Sequence, residues 1–96
     1  MIRSFKCKET EKIFNRIPSR KFPRSLYRPC QRKLQMLHRA DDLRDLQAPP
    51  GNRLKALTGT RRGQHSIRVN DQWRICFVWS EEEHAAFEVE MVDYHV

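Results

Sequence analysis

The stretch Gln64-His65-Ser66-Ile67-Arg68-Val69-Asn70-Asp71-Gln72-Trp73-Arg74-Ile75-Cys76-Phe77-Val78-Trp79 alternates apolar and polar side chains on both sides of a polar interruption. A period of two marks a half-buried strand, so the stretch reads as a hairpin with one face turned inward. Asn70-Asp71 supplies the turn signal, a weaker one than Asn-Gly. Loop parity then decides the register. With Asn70, Asp71 and Gln72 as the loop, Val69 opposes Trp73, Ile67 opposes Ile75 and Arg68 opposes Arg74, and both faces keep their chemistry. A loop one residue shorter would set Arg68 across from Trp73 and mix the faces, so the odd loop is preferred. That register stands Arg68 and Arg74 side by side on the face that the apolar residues do not use. Like charges directly opposed destabilise a sheet by roughly several tenths of a kcal/mol unless an anion lies between them. The pair therefore reads as an anion site. The bland alternative is that both guanidiniums splay into solvent or pair with Glu88 and Glu90.

Working outward, Ala86 to Val92 alternates Phe87, Val89 and Met91 with Glu88 and Glu90, after a turn at Ser80 to His84 and before the ending Asp93-Tyr94-His95-Val96. Upstream, Asn52 to Leu57 sets Leu54 against Arg53 and Lys55, and Thr58 to Gly63 is a turn bracketed by glycines. Before Pro49-Pro50-Gly51 the period is 3.6. From Arg24 to Arg39, the residues Leu26, Cys30, Leu34 and Leu37 form a narrow apolar stripe, while Arg24, Arg28, Arg32 and Arg39 cluster on nearly the opposite side. Pro29 inside this pattern allows a start near Arg28 with the proline in the first turn, or a longer, kinked helix. Lys8 to Ile17 places Ile13, Phe14 and Ile17 within one ~100° arc, with Glu9 and Glu11 near the positive end and Pro18 as the stop. Ile2 to Lys6 reads as a short first strand, and Asp41 to Ala48 as one further helical turn.

These elements predict an α+β fold in which a short N-terminal strand and two helices accompany a twisted antiparallel sheet of about four to five strands. The helices cover one sheet face and the other is left to bind. Ninety-six residues suit a single domain spanning residues 1–96.

Composition narrows the partner. The chain carries 19 Lys and Arg against 12 Asp and Glu, a net charge of +7, and 13 of the cations are Arg. Residues 1–40 hold 12 basic and 2 acidic side chains, whereas residues 76–96 hold no basic and 6 acidic ones. Arginine's planar fork matches phosphate oxygens bidentately, so a polyanion is the natural partner; the charge in excess of what solubility requires points the same way. No apolar run approaches the roughly 18 residues of a membrane span, and the first residues lack the apolar core of a secretory signal. Cys7, Cys30 and Cys76 are odd in number and far apart, which indicates neither a disulfide framework nor a zinc site and fits a reducing cytoplasm. No P-loop, G-x-G-x-x-G, G-x-S-x-G or H-E-x-x-H occurs, so no nucleotide, dinucleotide or metal cofactor is called for. What remains is Arg53, Lys55, Arg68, Arg74, His65, His95 and Tyr94. RNA brings its own nucleophile, the 2′-hydroxyl, so arginines and a histidine suffice to orient it, move its proton and hold the extra negative charge without metal. Trp73 and Trp79 share the apolar face with Ile75 and Phe77 and read as core.

The run Gly59 to Phe77, with Ser66-Ile67-Arg68-Val69 and Trp73-Arg74 as its most specific parts, together with Pro49-Pro50-Gly51-Asn52-Arg53-Leu54 and the terminal Asp93-Tyr94-His95, resembles the HigB-type toxins of the RelE/ParE superfamily. The resemblance implies a toxin of a bacterial toxin–antitoxin pair, a metal-independent endoribonuclease that cleaves mRNA in the A site of the 70S ribosome. It implies silencing by a helix-turn-helix antitoxin, through which alone operator DNA would be met. Carried onto this chain, it makes Arg74 the stabiliser of the pentavalent phosphate, His95 the general acid or base, Tyr94 a group that positions or stacks on a nucleotide, and Asp93 a residue that orients its neighbours. Some relatives place a histidine where this chain has Lys55 and a lysine where it has Thr58; Lys55, Arg53 and Arg68 then stand as the phosphate contacts. His65 is either an extra acid–base group or a packed ring. The Arg28 and Arg32 rail is expected to bind ribosomal RNA or an acidic antitoxin segment. Two other functions fit the same fold: gyrase binding of the ParE kind, for which the His95 end would be dispensable, and an attenuated RNA- or ribosome-binding module.

Overall fold

In a computed structural model, which describes residues 1–93, four strands form an antiparallel meander in chain order: β1 (Lys55–Ala56), β2 (His65–Arg68), β3 (Trp73–Ser80) and β4 (Ala85–Asp93). The β2–β3 hairpin pairs Ile67 with Ile75 and Arg68 with Arg74, the register that an odd loop imposes. Asn70 builds that loop. Its Oδ1 accepts from the backbone N–H groups of Gln72 and Trp73, both at 2.9 Å, while the Val69 N–H donates to the Trp73 carbonyl at 2.9 Å. A short side chain that mimics a backbone acceptor is what asparagine offers a turn.

The inward residues Ile67, Val69, Ile75, Phe77, Trp79, Val89 and Met91 share one core with residues of two helices, α1 (Lys8–Phe14) and α2 (Tyr27–Arg39). Leu26, Cys30, Leu34 and Leu37 are buried, and Arg24, Arg28, Arg32 and Arg39 are exposed, so the amphipathic stripe and the cationic rail fall where the 3.6 period places them. A 3₁₀ turn at Arg24–Leu26 leads into α2, and Pro29 sits in its first turn. There the missing N–H costs nothing, because the first-turn donors have no partner within the helix. Burial pushes the Cys30 thiol up to about 12, which makes it a packing group.

α1 ends at Phe14, earlier than the expected Ile17, and Ile17 is 50% exposed. Arg16 takes a left-handed φ of 62°. Its N–H donates to the Ile13 carbonyl at 3.1 Å and that of Ile17 to the Lys12 carbonyl at 2.8 Å, the paired bonds of a Schellman ending. Helical phase is lost before Ile17, so its side chain leaves the apolar arc.

β4 also departs from simple alternation. Cys76 faces Glu90 but Val78 faces Phe87, so β4 holds one extra residue, close to Glu88 with its φ of 52°. One extra residue exchanges the faces of a strand. Ala86 therefore joins the core alongside Val89 and Met91, and Phe87 lies with Val78 on the other side. The expected first strand is reduced to isolated parallel bridges, Ile2 to Ala86 and Phe5 to Val89, which straddle the bulge. Ser4 Oγ accepts from the Glu88 N–H at 2.9 Å between them.

After α2, a 3₁₀ turn at Leu43–Leu46 is capped reciprocally by Asp42 and Asp45, and a second at Pro50–Asn52 delivers Arg53 to the sheet edge. No helix among the described residues is long and apolar enough to cross a membrane.

Candidate nucleic-acid interface

The same alternation that turns Ile67 and Ile75 inward turns Ser66, Arg68, Arg74 and Cys76 to the opposite face. Strand pairing arranges that face in rows. Lys55, Ser66, Cys76 and Glu90 form one, and Arg68, Arg74 and Val92 form the next. The face is less open than expected, since Ser66 and Cys76 are fully buried and Arg74 is only 9% exposed. Arg61, from the 3₁₀ turn Gly59–Arg61, donates to Glu90 Oε2 at 3.2 Å and to Gln64 Oε1 at 3.1 Å, and Lys6 Nζ lies 3.6 Å from the same Glu90 carboxylate. This bridge spans the row that contains Cys76. The buried thiol is shifted above its ordinary pKa, chiefly by desolvation.

A guanidinium withdrawn from water needs acceptors. Arg74 Nε donates to Ser66 Oγ at 2.7 Å, and its Nη2 donates to the Arg53 carbonyl at 2.6 Å and the Ser66 carbonyl at 3.3 Å. One edge of the fork is thereby locked to the protein, and its orientation is set before any ligand arrives. Arg68, its cross-strand neighbour, neither splays into solvent nor reaches Glu88 or Glu90. It pairs with Asp71 in the hairpin loop, the acid nearest along the chain, while Glu90 is engaged by Arg61 and Lys6.

The remaining expected site residues are distributed as follows. Arg53 contributes its carbonyl to Arg74 from a left-handed backbone with φ of 44°, and its side chain is exposed. Lys55 is exposed in β1, opposite Ser66. Asp93 ends β4 opposite Trp73, and its Oδ2 accepts from Gln72 Nε2 at 2.9 Å, which ties the hairpin loop to β4. Tyr94 and His95 lie outside the described residues. Arg28 and Arg32 stand on the exposed side of α2, on a different element from the arginine pair. His65 stacks on Phe77 with ring centroids 6.3 Å apart, and Trp73 meets Phe22 edge-on at 5.4 Å. Among the described residues, no cluster of three His, Cys, Asp or Glu side chains could hold a metal ion.

Three residues of the site, Ser66, Lys33 and Asn52, have no role assigned to them by the sequence reading. Ser66 was within reach, because it lies two before Arg68 in a strand and so shares its face. Lys33 carries a subtler signal: at 100° per residue it falls beside Leu26 and Leu37, inside the apolar arc of α2, where an amine needs a partner. That partner is Asn52 Oδ1. Burial first, then the charges of Arg32 and Arg68, lower the pKa of Lys33. Asn52 itself, fully buried after Pro-Pro-Gly, carries no periodic signal.

Helices on one face of a small antiparallel meander, and a pre-oriented arginine with a cross-strand cationic neighbour on the other, define a basic α+β protein. The chain belongs to the HigB-like toxin family, RelE-like toxins of type II toxin–antitoxin systems, which matches residues 3–95. It is similar to Toxin HigB-1 of Vibrio cholerae serotype O1, 45% identical over 60 residues that make up 62% of this chain and 63% of that protein. It is also similar to an uncharacterized protein of Haemophilus influenzae, 36% identical over 63 residues, or 66% of this chain and 62% of that one. The chain thus covers a little under two thirds of the length of each of these curated relatives.

Proposed function

We propose that this protein is the toxin of a type II toxin–antitoxin pair and acts as a ribosome-dependent mRNA endonuclease, held in check in the cytoplasm by a helix-turn-helix antitoxin. The observation that carries the reading is the anchored guanidinium of Arg74 beside Arg68. A donor fixed in place before the reaction stabilises the charge that develops on a pentavalent phosphate without reorganising at that moment. In the proposed reaction the 2′-hydroxyl attacks the adjacent phosphorus, a 2′,3′-cyclic phosphate forms and the 5′-oxygen leaves with a proton. Arg74 holds the equatorial oxygens. Arg68, Lys55 and Arg53 hold neighbouring phosphates, and Arg28 and Arg32 meet ribosomal RNA. His95 serves as acid or base, Tyr94 positions a nucleotide, and Asp93 orients both. β4 supports this assignment by bringing the chain, at Asp93, one register step past the Arg74–Val92 pair; Tyr94 and His95 follow in sequence.

The test is deletion of Tyr94 to Val96 combined with mapping of mRNA 5′ ends after induction. Full-length protein should leave cuts in phase with codons inside translated regions, and the truncated form should leave none. Growth inhibition that survives the deletion, without new 5′ ends, would instead assign toxicity to protein binding.

A further inference from the structure

Arg74 is held by the Arg53 carbonyl, which Arg53 presents from a left-handed backbone with φ of 44° and ψ of 55°. A residue with a Cβ keeps a left-handed backbone only under constraint from its surroundings. The constraint lies one residue earlier. Asn52 is fully buried, its Nδ2 donates to the Leu46 carbonyl at 3.1 Å and lies 2.9 Å from Met36 Sδ, and its Oδ1 accepts from Lys33 Nζ. Its backbone N–H closes the 3₁₀ turn on the Pro49 carbonyl at 3.0 Å, and that of Arg53 donates to the Pro50 carbonyl at 3.3 Å. One amide therefore fastens the Pro50–Asn52 turn to α2 and to the Leu43–Leu46 turn together.

We propose that Asn52 is a positioning residue for the phosphate site: its buried amide, clamped by Lys33 and the Leu46 carbonyl, fixes the backbone of Arg53 and through it the aim of Arg74. The inference rests on Arg74 acting as the anion ligand. In this arrangement Asn52 touches no substrate. Lys33 is the clamp that holds the amide. A shift of ~1 Å in a group that must meet a transition state costs on the order of a hundredfold in rate, even when its cause lies outside the reacting atoms. Release of the clamp should therefore appear in turnover and leave substrate binding largely intact.

The experiment compares Asn52→Ala in the wild-type and Arg74→Ala backgrounds, using programmed ribosomes with a defined mRNA as substrate. Asn52→Ala alone should lower the maximal cleavage rate about tenfold or more with KM changed by less than about threefold, and should cost nothing further once Arg74 is gone. Equal losses in both backgrounds would overturn the proposal, because they would mean that Asn52 supports only the fold. An independent reading is the Nε–Hε NMR resonance of Arg74, assigned by its absence in Arg74→Lys. It should move or broaden in the folded Asn52 variant, and an unmoved resonance overturns the proposal whatever the kinetics. If the wild-type protein cleaves no mRNA, the nuclease reading fails and the resonance alone decides the positioning. Should Asn52→Ala fail to fold, Lys33→Met, which opens one jaw of the clamp without emptying the site, replaces it under the same two readouts.

Discussion

At the level of single side chains, Arg74 combines, under the proposed function, what is ordinarily separated: a buried cation and a binding group. Its hydrogen bonds to Ser66 and to the Arg53 carbonyl fix the plane and direction of the fork while leaving the guanidinium charged. Replacement by alanine should lower mRNA cleavage by roughly 10²–10³-fold, the usual loss for one transition-state donor, measured as single-turnover rate in a variant whose unfolding transition stays cooperative. Near-normal cleavage in such a variant would remove Arg74 from the reaction. Arg74→Lys should fare little better, since an ammonium cannot reproduce the two-edged fork that meets Ser66 on one side. The pairing of Arg68 with Arg74 was legible in the sequence because loop parity and alternation agree on one register. The Arg53 carbonyl that also holds Arg74 was not, because a backbone acceptor leaves no trace in residue identity.

At the level of elements, the positions that escaped the sequence are those where one backbone torsion changes the phase. The 3.6 period runs correctly through Ile13 and then fails at Ile17, because Arg16 enters the left-handed region. The period of two runs correctly along β3 and then misplaces Phe87, because the bulge near Glu88 exchanges faces while leaving the composition of the strand unchanged. Neither arginine nor glutamate advertises a positive φ as glycine does. The α1 ending therefore offers a direct check. Arg16 is exposed and sits where helices most often place glycine, so Arg16→Gly should raise stability by up to about 1 kcal/mol, read as a shifted denaturant midpoint at constant slope. A decrease would mean that the Arg16 side chain makes a contact worth more than the backbone strain. Pro29 shows the opposite case. Its two allowed placements were both visible, and the unpaired donors of a first turn select the one that the structure adopts.

For the whole molecule, charge is layered across the fold. The cations of α2 line its exposed side, the arginine pair occupies the far face of the sheet, and the acids gather toward the end of the chain. If the rail meets RNA, neutralising both Arg28 and Arg32 should flatten the slope of log K against log[salt] for ribosome binding by ~1.4, at ~0.7 per single-strand phosphate contact. An unchanged slope would assign the rail to the antitoxin. The global fold was readable because periodicity, caps and turns agree; the partner of each charged face is a property of surfaces, which one chain does not record. The bridges of Ile2 to Ala86 and Phe5 to Val89 carry a last consequence, for the order of folding. They join residues 2 and 5 to a strand 84 positions further along the chain, and that strand also supplies Val92, the neighbour of Arg74. The face around Arg74 therefore closes only after β4 has emerged, so its completion waits on a long-range contact and not on a local one.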